Sequence, residues 1–115
     1  MLPPASRLRQ RSLFGRVYGK GRSCATDLAV VYAYPTGGRT TRIGFSVSKK
    51  IGGAVVRNRV KRQLREVIRR QLPHISDGFD VVVVARRRIV GSTFDEISRS
   101  LESLLRRTNV LKARD

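Results

Sequence analysis

The segment Gly44–Arg69 constrains the fold more than any other part of the chain. It begins with an alternating strand pattern that ends at Ser48-Lys49-Lys50, and a Gly52-Gly53 turn follows. Apolar residues then recur at helical spacing, which predicts a helix from about Ala54 to Gln71 that Pro73 stops. The apolar arc of this helix spans about 120°. It holds Val56, Val60, Leu64, Val67, Ile68 and Gln71, opposite Asn58, Lys61, Arg62, Arg65 and Arg69, with Arg57 and Arg59 at the two edges.

The charge balance of the chain indicates a polyanionic partner. Lys and Arg number 25 and Asp and Glu number 8, a formal net charge of +17, and Asp27 is the single acid from Met1 to Arg65. Nucleic acid is the leading candidate, because each phosphate contact releases counterions. An anionic membrane surface is the alternative, but lipid-seeking helices usually carry Trp, Phe or Leu, and this chain has no Trp. A merely solvated face usually interleaves Glu with Lys, whereas the predicted helix has only Glu66.

Length and composition predict one domain with a real core, since the chain has 115 residues of which 40% are apolar. Cys24 is the only cysteine, which leaves no internal disulfide and no multi-cysteine zinc site. The first residues lack the apolar run of a signal peptide, and the longest apolar run is Val81–Ala85, so we expect a cytoplasmic protein. His74 has no metal or nucleophile partner nearby in sequence, and no catalytic constellation appears.

The remaining pattern predicts an α+β layer with helices packed on a small sheet. A basic arm over 1–9 precedes a short helix, and two strands that we expect to be antiparallel neighbours follow it. There is room for a short extra strand before the basic helix. The run Val81–Val84 is typical of a central strand covered on both faces, Thr93 and Glu96 fit a capping box, and a frayed tail begins at Asn109. The predicted elements are a helix over Ser12–Tyr18, strands over Asp27–Tyr34, Thr41–Ser48 and Phe79–Ala85, and a last helix that buries Phe94, Ile97, Leu101, Leu104 and Leu105.

Aromatic residues near the start of the chain allow two interpretations. Phe14, Tyr18, Tyr32 and Tyr34 could be plain core, or they could form a platform on which single-stranded nucleic acid stacks. In the second interpretation, Arg16, Lys20 and Arg22 flank the platform. Likewise, Arg86–Arg88 is either a solvated loop or an extension of a phosphate-binding surface.

The stretch Phe45–Glu66, and Arg57-Asn58-Arg59 within it, resembles the signature of the protein subunit of bacterial ribonuclease P. Arg7-Leu-Arg, Val17-Tyr18, Val82–Arg86 and the last helix fall in the family's order. The resemblance implies a single-domain α/β sandwich over 1–115, in the order α-β-β-β-α-β-α, with a left-handed βαβ crossover, a ribosomal-protein-S5-like fold. It also implies that a partner RNA catalyses removal of the 5′ leader from precursor tRNA with bound Mg²⁺, and that this chain is the cofactor protein of that RNA, without catalytic residues, membrane contact or small-molecule substrate.

Two sets of site residues are implied by the same resemblance, and neither includes a metal ligand in the protein. The set expected to bind the catalytic RNA is Ser48, Lys49, Lys50, Arg57, Asn58, Arg59, Lys61, Arg62, Arg65 and Arg69. The set expected to line the leader-binding cleft is Phe14, Arg16, Val17, Tyr18, Lys20, Tyr32 and Tyr34. Gly53 departs from the family's usual polar helix cap, Tyr18 replaces a common Phe, and Asp27 stands where many members have Arg. The alternatives are a general ribosome- or RNA-associated basic protein and a stand-alone nuclease.

Overall fold

The computed structural model of the chain describes the backbone of residues 11–112 and side chains from residue 15 to 112. The order of elements is α-β-β-β-α-β-α, as the resemblance implied, and the α+β class is confirmed. The predicted arm over 1–9 and the end of the tail over 113–115 lie outside the described residues. The elements are α1 (Arg11–Lys20), β1 (Arg22–Ala25), β2 (Ala29–Pro35), β3 (Arg42–Ser46), α2 (Ala54–Gln71), β4 (Phe79–Ala85) and α3 (Phe94–Arg107).

The sheet has the strand order β1-β2-β4-β3, so the prediction that β2 and β3 are neighbours was wrong. Strand β4 lies between them, antiparallel to β2 with Val30 opposite Val84, and parallel to β3 with Ile43 opposite Val81. The physical reason lies in β4 itself. Its residues 80–83 are all buried, and a strand that is apolar on both faces is best accommodated in the middle of a sheet. The extra strand also lies elsewhere than expected, since β1 precedes β2 at the sheet edge.

One face of the sheet carries the main core beneath α2 and α3. Val31, Val81 and Val83 on the sheet belong to one buried cluster with Leu64 of α2 and Leu101 of α3. Helix α2 connects the parallel pair β3 and β4, which makes β3-α2-β4 a βαβ unit. General chirality strongly favours a right-handed crossover in such units, and the left hand that the resemblance implies stays a prediction.

Helix α1 covers the opposite face of the sheet. Val17 is fully buried there with Val82, and Tyr32 and Tyr34 pack against this pair. Gly21 permits the close approach between the end of α1 and β2, because a Cβ at this position would lie 2.4 Å from the Val17 carbonyl oxygen and 3.0 Å from the Ala33 carbonyl oxygen. A side chain at this position would therefore push the end of α1 away from β2.

The two ends of α3 are both fixed by specific contacts. At the start, the predicted capping box is confirmed: Glu96 N–H donates to Thr93 Oγ1 at 3.1 Å, and Thr93 N–H donates to Glu96 Oε1 at 3.0 Å. Past the helix, the chain is not frayed where the structure describes it. Val110 and Leu111 are buried, and Ser76 N–H donates to the Val110 carbonyl at 2.7 Å. Burial of these two apolar residues explains why residues 109–112 stay on the core.

Candidate nucleic-acid interface

The cationic face of α2 is presented to solvent as its spacing predicted. Asn58, Arg59, Arg62, Arg65 and Arg69 are exposed, and Arg57 and Lys61 are half-buried. The opposite face of the helix buries Val60, Leu64, Val67 and Ile68 in the core. Core packing thus fixes the rotation of α2, and with it the direction in which the guanidinium groups point.

Acidic compensation on α2 is confined to the last turns of the helix. Glu66 accepts two hydrogen bonds from Arg69, at 2.9 and 2.6 Å, and one from Arg70 at 3.1 Å. These contacts, chiefly the hydrogen bonds from Arg69, lower the pKa of Glu66 to about 2, against a smaller opposing effect of desolvation. The Arg69 guanidinium is therefore already engaged, whereas the basic residues of α2 before Glu66 form no ion pair with an acid of the described chain: Arg57, Arg59, Lys61, Arg62 and Arg65.

The basic surface continues past the N-terminal end of α2. Ser48, Lys49 and Lys50 are exposed, and Lys49 and Lys50 begin a short 3-10 turn before the helix. Gly53 is the N-cap of α2 and supplies no side-chain hydrogen bond. The first backbone N–H groups of the helix are therefore uncapped by a side chain, and such groups favour anions. Ser48, Lys49 and Lys50 thus precede α2, which carries the other residues of the set expected to bind the catalytic RNA.

The expected leader-binding cleft has aromatic side chains where α1 packs on the sheet. Tyr18 is 41% exposed and meets Tyr32 edge to face, with ring centroids 4.9 Å apart. Tyr34 is half-buried two residues further along β2, and the exposed Arg16 and Lys20 lie on α1. The rings therefore pack on one another and still leave ring surface accessible, and the stacking platform stays a prediction.

Val17 and Phe14 differ from the other members of the expected cleft set. Val17 is fully buried against Val82, so we assign it to holding α1 on the sheet rather than to contact with a leader. Phe14 lies on α1 by its backbone, and its side chain lies outside the described residues.

The sequence reasoning missed an ion pair on the sheet. Arg42 donates to Asp80 through Nε at 2.9 Å and through Nη2 at 2.8 Å, and Asp80 is only 1% exposed. Asp80 pairs in register with Tyr34 on β2 and with Arg42 on β3. The three residues therefore form one row across the sheet. A carboxylate at the start of an otherwise apolar strand was the available signal, because a buried acid requires a partner.

The Arg86–Arg88 segment is exposed, and two of its three side chains have partners. Arg86 donates to the Thr26 carbonyl at 3.0 Å, and Arg88 lies 3.6 Å from Asp27. Asp27, which stands where many family members have Arg, is therefore paired with an arginine. Within residues 11–112, no three His, Cys, Asp or Glu side chains are grouped as metal ligands. No helix in the same range has the length and apolar character required to cross a membrane.

Comparison with known proteins decides the family. The sequence model of the family described as Ribonuclease P matches residues 2–109. The chain belongs to the ribonuclease P protein family. The ribonuclease P protein component of Caldanaerobacter subterraneus subsp. tengcongensis is 41% identical over 110 residues, which cover 96% of this chain and 95% of that protein. The corresponding component of Symbiobacterium thermophilum is 41% identical over 109 residues, covering 94% and 95% of the two chains.

Solved structures agree with the sequence comparison. The ribonuclease P protein of Staphylococcus aureus superposes with a TM-score of 0.85 at 38% identity, covering 94% of this chain and 99% of that one. The ribonuclease P protein of Thermotoga maritima gives a TM-score of 0.81 at 34% identity, covering 88% and 96%. The predicted family, and with it the assignment as protein cofactor of the ribonuclease P ribonucleoprotein that matures tRNA 5′ ends, is confirmed.

Proposed function

We propose that the two surfaces divide the work of this cofactor: the α2 surface binds the catalytic RNA, and the α1 cleft binds the 5′ leader of precursor tRNA. The α2 surface comprises Ser48–Lys50 and the cations and Asn58 of α2, and the α1 cleft comprises Arg16, Tyr18, Lys20, Tyr32 and Tyr34. The observation that carries the proposal is the segregation of charge. Five cations of α2 have no acidic partner in the described chain, although six ion pairs form in it, two of them in the last turns of α2.

The physics of the reaction explains why such a surface is useful. The catalytic RNA and its precursor substrate are both polyanions that must approach closely. Arginines are suited to bind their phosphates because the planar guanidinium matches phosphate geometry. Each phosphate that the protein neutralises also lowers the repulsion that cations must otherwise screen. We therefore expect the protein to reduce the Mg²⁺ concentration that the reaction needs.

Mg²⁺ itself belongs with the RNA in this proposal. Its preferred partners are hard oxygen ligands, including phosphates, and it retains several waters when bound. The exposed side chains of the α2 surface are mainly cationic and would repel the ion. The residues of this chain act by binding and orienting the two RNAs.

The α1 cleft suits a leader of variable sequence. A tyrosine ring with accessible surface can stack any base, and stacking is worth about 1–3 kcal/mol per base without hydrogen-bond readout. Arg16 and Lys20 are exposed on α1, and we expect them to meet the backbone phosphates. A general RNA-binding protein would need the α2 cations but not this cleft. A cytoplasmic location belongs to the same proposal, because the substrate is precursor tRNA and Cys24 is compatible with a reducing compartment.

Cleavage of a precursor tRNA at low Mg²⁺ tests the proposal. Three reactions are compared: a bacterial ribonuclease P RNA alone, the same RNA with this protein, and the protein alone. We expect correct 5′ cleavage only when RNA and protein are both present. Equal rates with and without the protein would contradict the cofactor role, and cleavage by the protein alone would place the chemistry in this chain. Equal affinity for precursor and mature tRNA would count against leader binding in the α1 cleft.

A further inference from the structure

Two exposed apolar side chains lie outside the surfaces proposed above. Among the described residues, the large apolar side chains with substantial exposure are Tyr18 at 41%, Val55 at 82% and Val90 at 45%. Tyr18 belongs to the α1 cleft. Val55 is in the first turn of α2, and Val90 is in the loop between β4 and α3. Single exposed apolar residues are common on protein surfaces, so these two carry an argument only through the recess beside them.

A recess lies between the first turns of α2 and the loop after β4. Val90 lines the recess, and Val55 precedes the lining residue Val56. The recess measures about 110 Å³, well below the 300 Å³ or more typical of pockets for drug-sized ligands. Its lining combines apolar and polar side chains and includes Val56, Arg59, Val60, Gln63, Val90 and Ser92.

The charges around the recess favour RNA as its occupant. Arg59 lines the recess and has no acidic partner in the described chain, and Val55 and Arg62 lie on the same helix face one turn before and almost one turn after it. The acids that follow the loop are already engaged: Asp95 pairs with Arg99 at 3.1 Å, and Glu96 caps α3. An apolar peptide would offer Arg59 no negative charge.

We propose that this recess binds a single unpaired nucleobase of the RNA that the α2 surface holds. The base would pack its ring on the valines that line the recess while Arg59 meets its phosphate. The Gln63 amide can donate and accept at the edge of the base. Ser92 Oγ already donates to the Arg88 carbonyl at 3.0 Å, so its oxygen remains as an acceptor. Extruded bases are the features of folded RNA that proteins usually read, because their faces and edges are accessible. This inference rests on the proposed RNA binding by α2.

The test compares two recess variants with a charge variant. Val90→Phe fills the recess and Gln63→Ala removes its amide, while Ser103→Ala, on α3, is the matched control and Arg59→Ala is the charge variant. Each protein is titrated with a bacterial ribonuclease P RNA over a range of salt concentrations. We expect both recess variants to weaken binding about 5-fold at every salt concentration, with an unchanged salt slope, because they lose base contact but no counterion release. Arg59→Ala should instead lower the slope.

Chemical probing of the same complexes identifies the base. Dimethyl sulfate modifies accessible base edges, so we expect an adenine or cytosine protected by the original protein and by Ser103→Ala but exposed with Val90→Phe and Gln63→Ala. If the recess variants bind like the original protein and leave every base protected, the inference is wrong. A lowered salt slope for Arg59→Ala would in that case still support the proposed function. Tighter binding by Val90→Phe would also overturn it, since a larger ring would then add contact rather than block a site. An unchanged slope for Arg59→Ala would instead remove the proposed function on which the inference rests.

Discussion

Two arginines on the same helix should contribute unequally to RNA binding. Arg62 and Arg69 are both exposed on α2 and both belong to the set that the family resemblance assigned to RNA contact. Arg62 has no acidic partner in the described chain, whereas Arg69 donates two hydrogen bonds to Glu66. We therefore expect Arg62→Ala to weaken binding of the catalytic RNA far more than Arg69→Ala.

The magnitude follows from counterion release. Each phosphate contact contributes about 0.9 to the slope of log affinity against log salt on a duplex, and about 0.7 on a single strand. Arg62→Ala should lower the slope by about one such contact. Arg69→Ala should change it little, because two hydrogen bonds to Glu66 already engage Arg69. Glu66→Gln should release Arg69 for phosphate contact, strengthen binding and raise the slope.

The ionisation of Glu66 determines whether it holds Arg69 at the assay pH. Its folded-state pKa is lowered to about 2, below the ordinary value of 4.5. A lowered pKa means that the ion pairs contribute fully above the ordinary value and are lost as the pH falls toward 2. At neutral pH, Glu66 is therefore ionised and holds Arg69 in the free protein.

Filter binding of labelled catalytic RNA between about 50 and 200 mM monovalent salt measures the slopes, at fixed Mg²⁺. Arg99→Ala is the matched control, because Arg99 is also an exposed helical arginine with an acidic partner but lies on α3, away from the α2 surface. Equal slopes for Arg62→Ala and Arg69→Ala, or a Glu66→Gln protein that binds like the original, would refute the claim that the intrahelical ion pair withholds Arg69 from RNA.

Three further predictions concern the cleft, the sheet and a helix cap. Tyr18→Ala should reduce the preference for precursor over mature tRNA at least about 5-fold in competition binding, while Tyr18→Phe keeps the ring and the preference. Arg42→Met should cost about 2–3 kcal/mol in urea unfolding, because it strands the buried Asp80 carboxylate, whereas Asp80→Asn, which leaves the half-exposed Arg42 able to rehydrate, should cost about 1 kcal/mol. Thr93→Ala should lower the unfolding free energy by about 1 kcal/mol without changing RNA affinity.

Local pattern was sufficient to predict the elements that carry the proposed RNA surface. The bounds of α2 and β4 are those expected from the sequence. For α2, an apolar arc at helical spacing and Pro73 after the last turn are both local signals. Because the same arc determines which residues are buried, it also predicted which side of the helix presents its cations.

The order of strands could not be obtained in the same way. Alternation in β2 and β3 shows that each is a strand, but pairing depends on contacts between residues far apart in the chain, such as Ile43 with Val81. The unbroken apolar run of β4 was the signal that it requires a neighbour on each side. Likewise, the Arg42–Asp80 pair joins residues 38 positions apart and needed the fold, whereas the Glu66–Arg69 pair follows from helical spacing alone.

The distribution of acids explains how one small protein can carry so much unbalanced charge at a single surface. Almost every acid of the described chain has a cationic or capping partner away from the first three turns of α2: Asp27 with Arg88, Glu66 with Arg69 and Arg70, Asp80 with Arg42, Asp95 with Arg99, Glu96 with Thr93 and Glu102 with Arg106. The cations of the first three turns of α2 are thus left without acidic partners, and like charges there repel and oppose folding of the free protein. RNA bound there removes that repulsion, and any ligand that binds only the folded state stabilises it. Affinity for the catalytic RNA and stability of the protein are therefore two consequences of the same uncompensated arginines.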